Sequence, residues 1–381
     1  MNNVNITYSP SGLGSPAVGE DFISGMIFYG ATQATAPTLL LSVSDVENLG
    51  YNVGTSSTTY SDYIHYHVSE YFRANPTGNI YFQVVNGTAS TYSELTSLQN
   101  FSLGKLRQCA IFDKDKTFNT LTLPTIQTQI DGLVTDNKPL EVIYQANFVG
   151  LTLSTLTDLN ASNAKNISVC LGQDGAALGA SLYTALGYTI GCAGLTLGAI
   201  SSALVSTSIA WVQNFNMATT EMDTLAFGNG TLYTSLSTNA ITLLDTKRYT
   251  FLRKFVGISG SYFNNDYTAI TTTSDYSTVH LNRTIHKVAR EVRSRLLPSI
   301  SAPIYFNQDG TIALTSILFF KSEAETALSQ MVTNSEISKY KVIINSAQNV
   351  LSTKTLSIGI EVIPVGVADV INVSVGFTLS I

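Results

Sequence analysis

The sequence predicts a multidomain chain of mixed α+β and α/β class, with mixed sheets and flanking helices. Three observations carry that reading. The length, 381 residues, is too great for one ordinary core. Strand-like and helix-like segments alternate over roughly 150 residues, the pattern of an α/β layer. The final stretch, ADVINVSVGFTLSI, has a period of two: Ile371, Val373, Val375, Phe377, Leu379 and Ile381 face one way, with small or polar residues between them. That alternation is the mark of a half-buried strand.

The elements follow in order. Residues 1–20 hold Pro10, Pro16 and several glycines with few large apolar groups, which reads as an extended arm. MIFYGAT at 26–32 is a strand. SVSDVENLG is a short helix, with Ser44 and Glu47 as a capping box and Gly50 as a stop. YSDYIHYHVSEYFRANPTG is a helix ended by Asn75-Pro76. NIYFQVVNG, RQCAIFD, LEVIYQANF and NISVCLG are strands, and TLPTIQTQIDGLVTDN and LSTLTDLNASNA are helices between them. The composition changes near residue 256, which places a domain boundary there. Beyond it come one long helix, then PIYFNQDGTIAL as strand, Asp-Gly turn and strand, then a short helix at 322–332. A run of strands follows, with Leu356, Ile358, Ile360 and Val362 alternating.

Composition narrows the function. Charged residues make up 12% of the chain, about half the usual share. A surface so poor in charge is weakly protected against association, which suits a subunit buried in an assembly. The net charge of −6 gives no electrostatic case for nucleic acid. Cys109, Cys170 and Cys192 make neither a disulfide framework nor a zinc site, and read as buried thiols in a reducing compartment. The first residues show no signal-peptide pattern. From Gly175 to Thr220 there is no charged residue. Glycines at 187, 191, 194 and 198 and the lack of flanking cations favour a buried helix and strand, or a subunit contact, over stable membrane insertion.

Chemistry is sparse. GLGSPAVG lacks the spacing and preceding strand of a nucleotide loop, no Walker sequence is present, and GISGS is not a nucleophile elbow. His65 and His67 would point apart on a helix and read as polar surface. No acid, base and nucleophile set emerges, so no enzyme, cofactor or metal site is expected. The strongest local feature is STVHLNRTIHKVAREVRSRLLP. Ile285, Val288, Ala289, Val292 and Leu296 form an apolar stripe. Arg283, Lys287 and Arg290 form a cationic row beside it, Arg293 and Arg295 complement the helix dipole, and Pro298 stops the helix. Five of the twenty Lys and Arg lie here. The row is a candidate contact for an acidic partner or another subunit.

This helix, the NQDGTI turn, NSEISKYKVIINSAQNVLSTKTLSIGIEVIPVG and the closing VINVSVGF resemble the C-terminal region of contractile tail sheath proteins, from contractile-tailed bacteriophages and related contractile injection systems. The resemblance covers roughly residues 258–381. It implies an arm at 1–20, a variable α/β region at 21–255 and a sheath-like domain at 256–381 ending in a donor strand that joins a neighbour's sheet. It implies a structural subunit that polymerises helically around an inner tail tube protein and contracts to drive that tube through a target envelope. The implied partners are copies of itself, the tube, and baseplate and tail terminator proteins. The implied place is a virion tail or injection particle assembled in the bacterial host cytoplasm. Two other readings stay open at this stage: an adhesin or receptor-binding fibre protein, suggested by Tyr-, Asn- and Thr-rich segments, and an α/β enzyme with an unrecognised site.

Overall fold

The computed structural model describes residues 20–54 and 60–377. The expected arm at 1–20 therefore lies almost wholly outside the described residues, as do Leu379 and Ile381. Six strands, β1 (Ile23–Ala31), β2 (Thr35–Leu40), β3 (Asn79–Asn86), β4 (Gln108–Thr117), β5 (Glu141–Asn147) and β6 (Ile167–Val169), form one mixed sheet in the order β2-β3-β1-β4-β5-β6. All neighbours are parallel except β2 and β3. The central strands are buried on both faces, as parallel strands covered by helices must be. On β1, Met26 and Phe28 enter one core while Ile27 and Tyr29 enter the other. On β4, Ala110 and Phe112 separate from Cys109 and Ile111 in the same way.

Helices α1 (Val43–Asn48), α2 (Tyr60–Ala74), α3 (Glu94–Phe101), α4 (Thr122–Thr135), α5 (Leu178–Leu186), α6 (Ala193–Ser202) and α7 (Thr238–Thr246) belong to the larger unit, with hairpins β7 (Gly172–Asp174)–β8 (Leu225–Phe227) and β9 (Leu252–Phe255)–β10 (Ile258–Phe263). Residues of α2 and α6 fill the core on one face of the sheet, and residues of α3 and α4 fill the other. The glycines of the uncharged stretch explain how α6 fits. A Cβ at Gly194 would collide with the carbonyl of His67, and one at Gly198 would stand 2.5 Å from the carbonyl of Tyr71. The two helices thus meet backbone to backbone. Among the described residues no helix is long and apolar enough to cross a membrane.

Several expectations change. His65 and His67 are buried, not polar surface, because His65 meets Glu47 of α1 and the His67 ring faces the sheet. The His67 ring packs 4.4 Å from that of Phe112, and burial pushes its pKa down to about 3. The α1 cap centres on Ser42 and Asp45: the Asp45 carboxylate accepts from the N–H groups of Leu41 (2.7 Å) and Ser42 (2.9 Å), while Glu47 meets His65 at 3.0 Å. The helix expected at 153–164 is two 3-10 turns, Leu153–Thr155 and Leu159–Ala161. There Lys247 Nζ donates to the carbonyls of Ser154 (2.9 Å) and Leu156 (2.5 Å), and the Asp158 carboxylate caps Asn160. These bonds compete with a helical ladder.

The smaller unit holds α8 (Val279–Leu296), α9 (Leu314–Thr333), β11 (Ile337–Ile343), α10 (Val350–Thr353) and β12 (Gly359–Pro364). Its core joins Val288 and Val292 of α8 to Ala324, Leu328 and Met331 of α9 and Ile337 and Val342 of β11. The Asp-Gly turn forms, with Gly310 at φ +82°, but its flanks make only an isolated bridge between Phe306 and Ile312. The second expected strand, which ends at Leu314, makes only that bridge, and the helix expected at 322–332 forms as part of the longer α9, in which Ser316, Phe320, Ala324, Ala327, Leu328 and Met331 bury at helical spacing. Residues just after 256 pack with the larger unit: Phe263 enters its first core and Ala269 its second, and the third core starts only at Val288.

Gly194→Ala should lower the unfolding free energy by about 1–3 kcal/mol, the usual range for overpacking. Its methyl has no space against the His67 backbone, and thermal or denaturant unfolding reads the loss directly.

Candidate functional site

Helix α8 carries the predicted cationic row, and the structure turns that row inward. Arg283 is 4% exposed. Its guanidinium donates to the carbonyls of Ala203 (3.3 Å), Leu204 (3.5 Å) and Asp21 (3.3 Å). Lys287 Nζ reaches Asp21 at 2.5 Å and Glu336 at 2.6 Å, and Arg290 pairs with the same Asp21. The expectation of an exposed face for Arg283, Lys287 and Arg290 is therefore corrected. Asp21, at the root of the arm, and Glu336, just before β11, neutralise them from the inside. Burial alone would push the Asp21 carboxyl up, but Arg290, Lys287 and Arg283 together hold it below the usual range. Burial pushes Arg283 down to about 10.

The first half of α8 is fastened to the large sheet by further buried polar groups. Asn282 Nδ2 donates to Glu141 Oε2 (3.0 Å) and to the carbonyl of Lys165 (2.5 Å), while Asn166 donates to Glu141 Oε1 (2.6 Å). Asp266 accepts from the His280 N–H (2.8 Å) and pairs with its ring at 2.8 Å. Ile285 and Ala289, assigned to the apolar stripe, are exposed instead, and the stripe takes hold only from Val288. Sequence reading misses Asp21, Glu141, Asp266 and Glu336, since each lies far along the chain from its partner.

The second half of α8 supports a two-stranded sheet. β11 and β12 pair antiparallel, with Tyr340 opposite Val362, Lys341 opposite Glu361 and Val342 opposite Ile360. One face packs on the α8–α9 core, and the other shows Lys339, Lys341, Glu361 and Ile363. Each strand has one neighbour, so both outer edges are open among the described residues. A groove of about 640 Å³ lies between the end of α8, α9 and the segment leading into β12, lined by Leu296, Ile300, Phe306, Phe320, Leu351 and Ile358 among others.

The chain then leaves the sheet. Asn265 donates to the Asp369 carboxylate at 3.4 Å. Beyond it Ile371 is 81% exposed, Val373 78% and Val375 90%, and Phe377 is fully exposed. No strand forms over 365–377, so the half-buried strand expected there is absent within the chain's described residues. Its apolar row has no covering partner of its own. Among the described residues no group of three or more His, Cys, Asp or Glu side chains could hold a metal.

The α8 anchor has a pH signature. Burial pushes the Glu141 carboxyl up to about 8. A group raised in the folded state supports folding below its unfolded value, about 4.3, and that support fades as pH rises through about 8. Glu141→Gln should therefore match the parent near pH 4, gain on it as pH rises to about 8, and hold that gain above it. A stability difference that does not change with pH contradicts this placement of the carboxyl.

Comparison with known proteins places this architecture. Residues 1–267 match the family described as DUF2586, N-terminal domain, and residues 275–381 match DUF2586, C-terminal domain. No curated protein is a significant sequence match. Among solved structures, a chain of the anti-feeding prophage (AFP) baseplate is similar with TM-score 0.62 and 12% identity, covering 100% of this chain and 99% of that one. A chain of the PVC sheath complex of an extracellular contractile injection system, in its contracted state, is similar with TM-score 0.59 and 15% identity over 100% and 98% of the two chains. The sheath tail protein from Listeria innocua is similar with TM-score 0.52 and 9% identity over 90% of this chain and 94% of that one. The chain belongs to the DUF2586 family, and its fold is that of contractile tail sheath proteins.

Proposed function

We propose that this chain is the structural subunit of a contractile sheath, and that residues 371–381 join the open β11–β12 sheet of a neighbouring copy. The observation that carries the reading is a juxtaposition. Among the described residues, the apolar row at 371–377 has no covering partner and the β11–β12 sheet has no partner on either edge. β-augmentation satisfies both needs, with ladder hydrogen bonds for strength and alternating side chains for register. A head-to-tail contact of this kind generates an open helix when its rotation does not close into a ring.

Energetics suit a lattice better than a dimer. Six large apolar side chains gain on the order of 10–18 kcal/mol when buried. Ordering eleven backbone residues costs about as much. A single link is therefore marginal, and many links act together. A sheath built this way would wrap an inner tube, with the strands keeping subunits joined while they slide and rotate to a state of greater contact. Energy stored at assembly behind a kinetic barrier suffices, so the role needs neither a catalytic site nor a cofactor. Tube, baseplate and terminator proteins are the partners this role requires, in a tail or injection particle assembled inside a bacterial host. In this reading the tube contact lies elsewhere than Arg283, Lys287 and Arg290, whose hydrogen bonds and ion pairs run to Asp21, Glu336 and backbone carbonyls.

Deleting 371–381 should leave a folded protein with an unfolding midpoint within a degree or two of the parent, since 371–377 are exposed. The same protein should form no tubes in electron micrographs. Normal tubes would remove the donor role, and a large loss of stability would return the segment to its own core.

A further inference from the structure

The three cysteines are all buried, but they are not equivalent. Cys109 lies between β1 and the α3 side of the sheet, where a Cβ on Gly25 would stand 3.0 Å from its sulfur. Cys170 and Cys192 share a site. Cys170 directly follows β6, and Cys192 is the residue before α6. Both sulfurs meet one hydroxyl, that of Thr196: Cys170 Sγ at 3.4 Å and Cys192 Sγ at 3.7 Å. The Cys192 N–H donates to the carbonyl of Gly172 at 2.8 Å. A Cβ on Gly172 would stand 3.0 Å from Cys192 Sγ. Residues 170 and 172 are two apart in extended chain and project to the same side. The absent side chain at 172 thus leaves the space in which the second sulfur reaches the first.

We propose that Cys170 and Cys192 are a latent cross-link, closed to an intramolecular disulfide when the folded chain meets a small hydroperoxide. The two thiols hydrogen-bond each other, which pulls Cys192 down from the ordinary thiol range, while burial and the same contact push Cys170 up. Cys192 also stands at the N-terminus of the ten-residue α6, where the helix favours a thiolate, so it is the nucleophile. Its thiolate attacks the peroxide, the O–O bond breaks, and Cys192 sulfenic acid and hydroxide form. The hydroxide takes up the proton that Cys192 released. Cys170 sulfur then attacks the sulfenic sulfur, the S–O bond breaks, and the Cys170 proton leaves with that oxygen as water. Overall two thiols are oxidised and one hydroperoxide is reduced, giving two waters when the reagent is hydrogen peroxide. The reagent is close to water in size, so local opening of the fold admits it. The bond would tie the end of β6 to the start of α6 beneath the large sheet. It stays open in a reducing cytoplasm and closes in an oxidising surrounding. The inference stands whether or not the chain forms a sheath.

The test uses the full folded chain with hydrogen peroxide as the probe. The peroxide is removed, the protein is unfolded in guanidinium with iodoacetamide, and the cysteine peptides are mapped by mass. Three alkylated cysteines are expected before oxidation. Afterwards Cys109 alone should be alkylated, and the Cys170 and Cys192 peptides should be joined with the loss of two hydrogens. Cys109→Ser should form the same link, and Cys170→Ser should form none. Circular dichroism confirms that each variant is folded, and the Cys109→Ser result keeps the test decisive if Cys170→Ser is not. Three thiols persisting after peroxide would overturn the proposal. So would loss of Cys109 at the rate of the pair, or links that involve Cys109.

Discussion

A two-stranded antiparallel sheet satisfies half of its backbone groups and leaves the other half facing outward. Soluble proteins rarely leave such edges long, flat and bare, because any extended chain can pair with them. Here β11 and β12 carry that burden together, and they lie on a core small enough to depend on α8 for support. The charged residues on the outer face, Lys339, Lys341 and Glu361, keep that face in water without closing the edges. The rest of the C-terminal unit is arranged around this incompleteness: a groove on one flank, an apolar tail leaving the other strand's end, and a helix that holds the whole to the body.

That helix is the second structural necessity. α8 begins in the larger unit's core at Val279 and ends in the smaller unit's core at Val292. Its middle is fixed by charges rather than apolar contact. Breaking one member of a buried ion pair is costly because its partner stays charged and dry, so Asp21, Lys287, Arg290 and Glu336 specify a single seating of the helix.

How far the sequence revealed this depended on whether the signal was local. Strands with continuous apolar runs, such as MIFYGA and the one ending in Asn147, were legible because burial on both faces leaves few polar positions. The helix stop at Asn75-Pro76 was legible for the same local reason. Long-range effects were not. His65 and His67 read as surface because nothing near them announces that Glu47 of α1 and the phenylalanines of the sheet will cover them. Arg283, Lys287 and Arg290 read as a candidate contact for an acidic partner or another subunit because Asp21 and Glu336, which meet them, come from opposite ends of the chain. The helix expected at 322–332 was legible, but its start at Leu314 was not, since LTSILFF is apolar enough for either element and only its continuation to Met331 fixes the helical period. The terminal alternation was visible at once, but the identity of its partner is a property of more than one chain.

The central claim is that residues 371–381 complete a sheet belonging to another copy. The most direct measurement is a cryo-EM map of the assembled form in which the backbone can be traced from β12 to Ile381. The account predicts a strand at 371–381 hydrogen-bonded along a free edge of β11 or β12 in a neighbouring subunit, with Ile371, Val373, Val375 and Phe377 covered. A terminal segment folded onto the sheet of its own chain, or left without a ladder partner in the assembly, would contradict it.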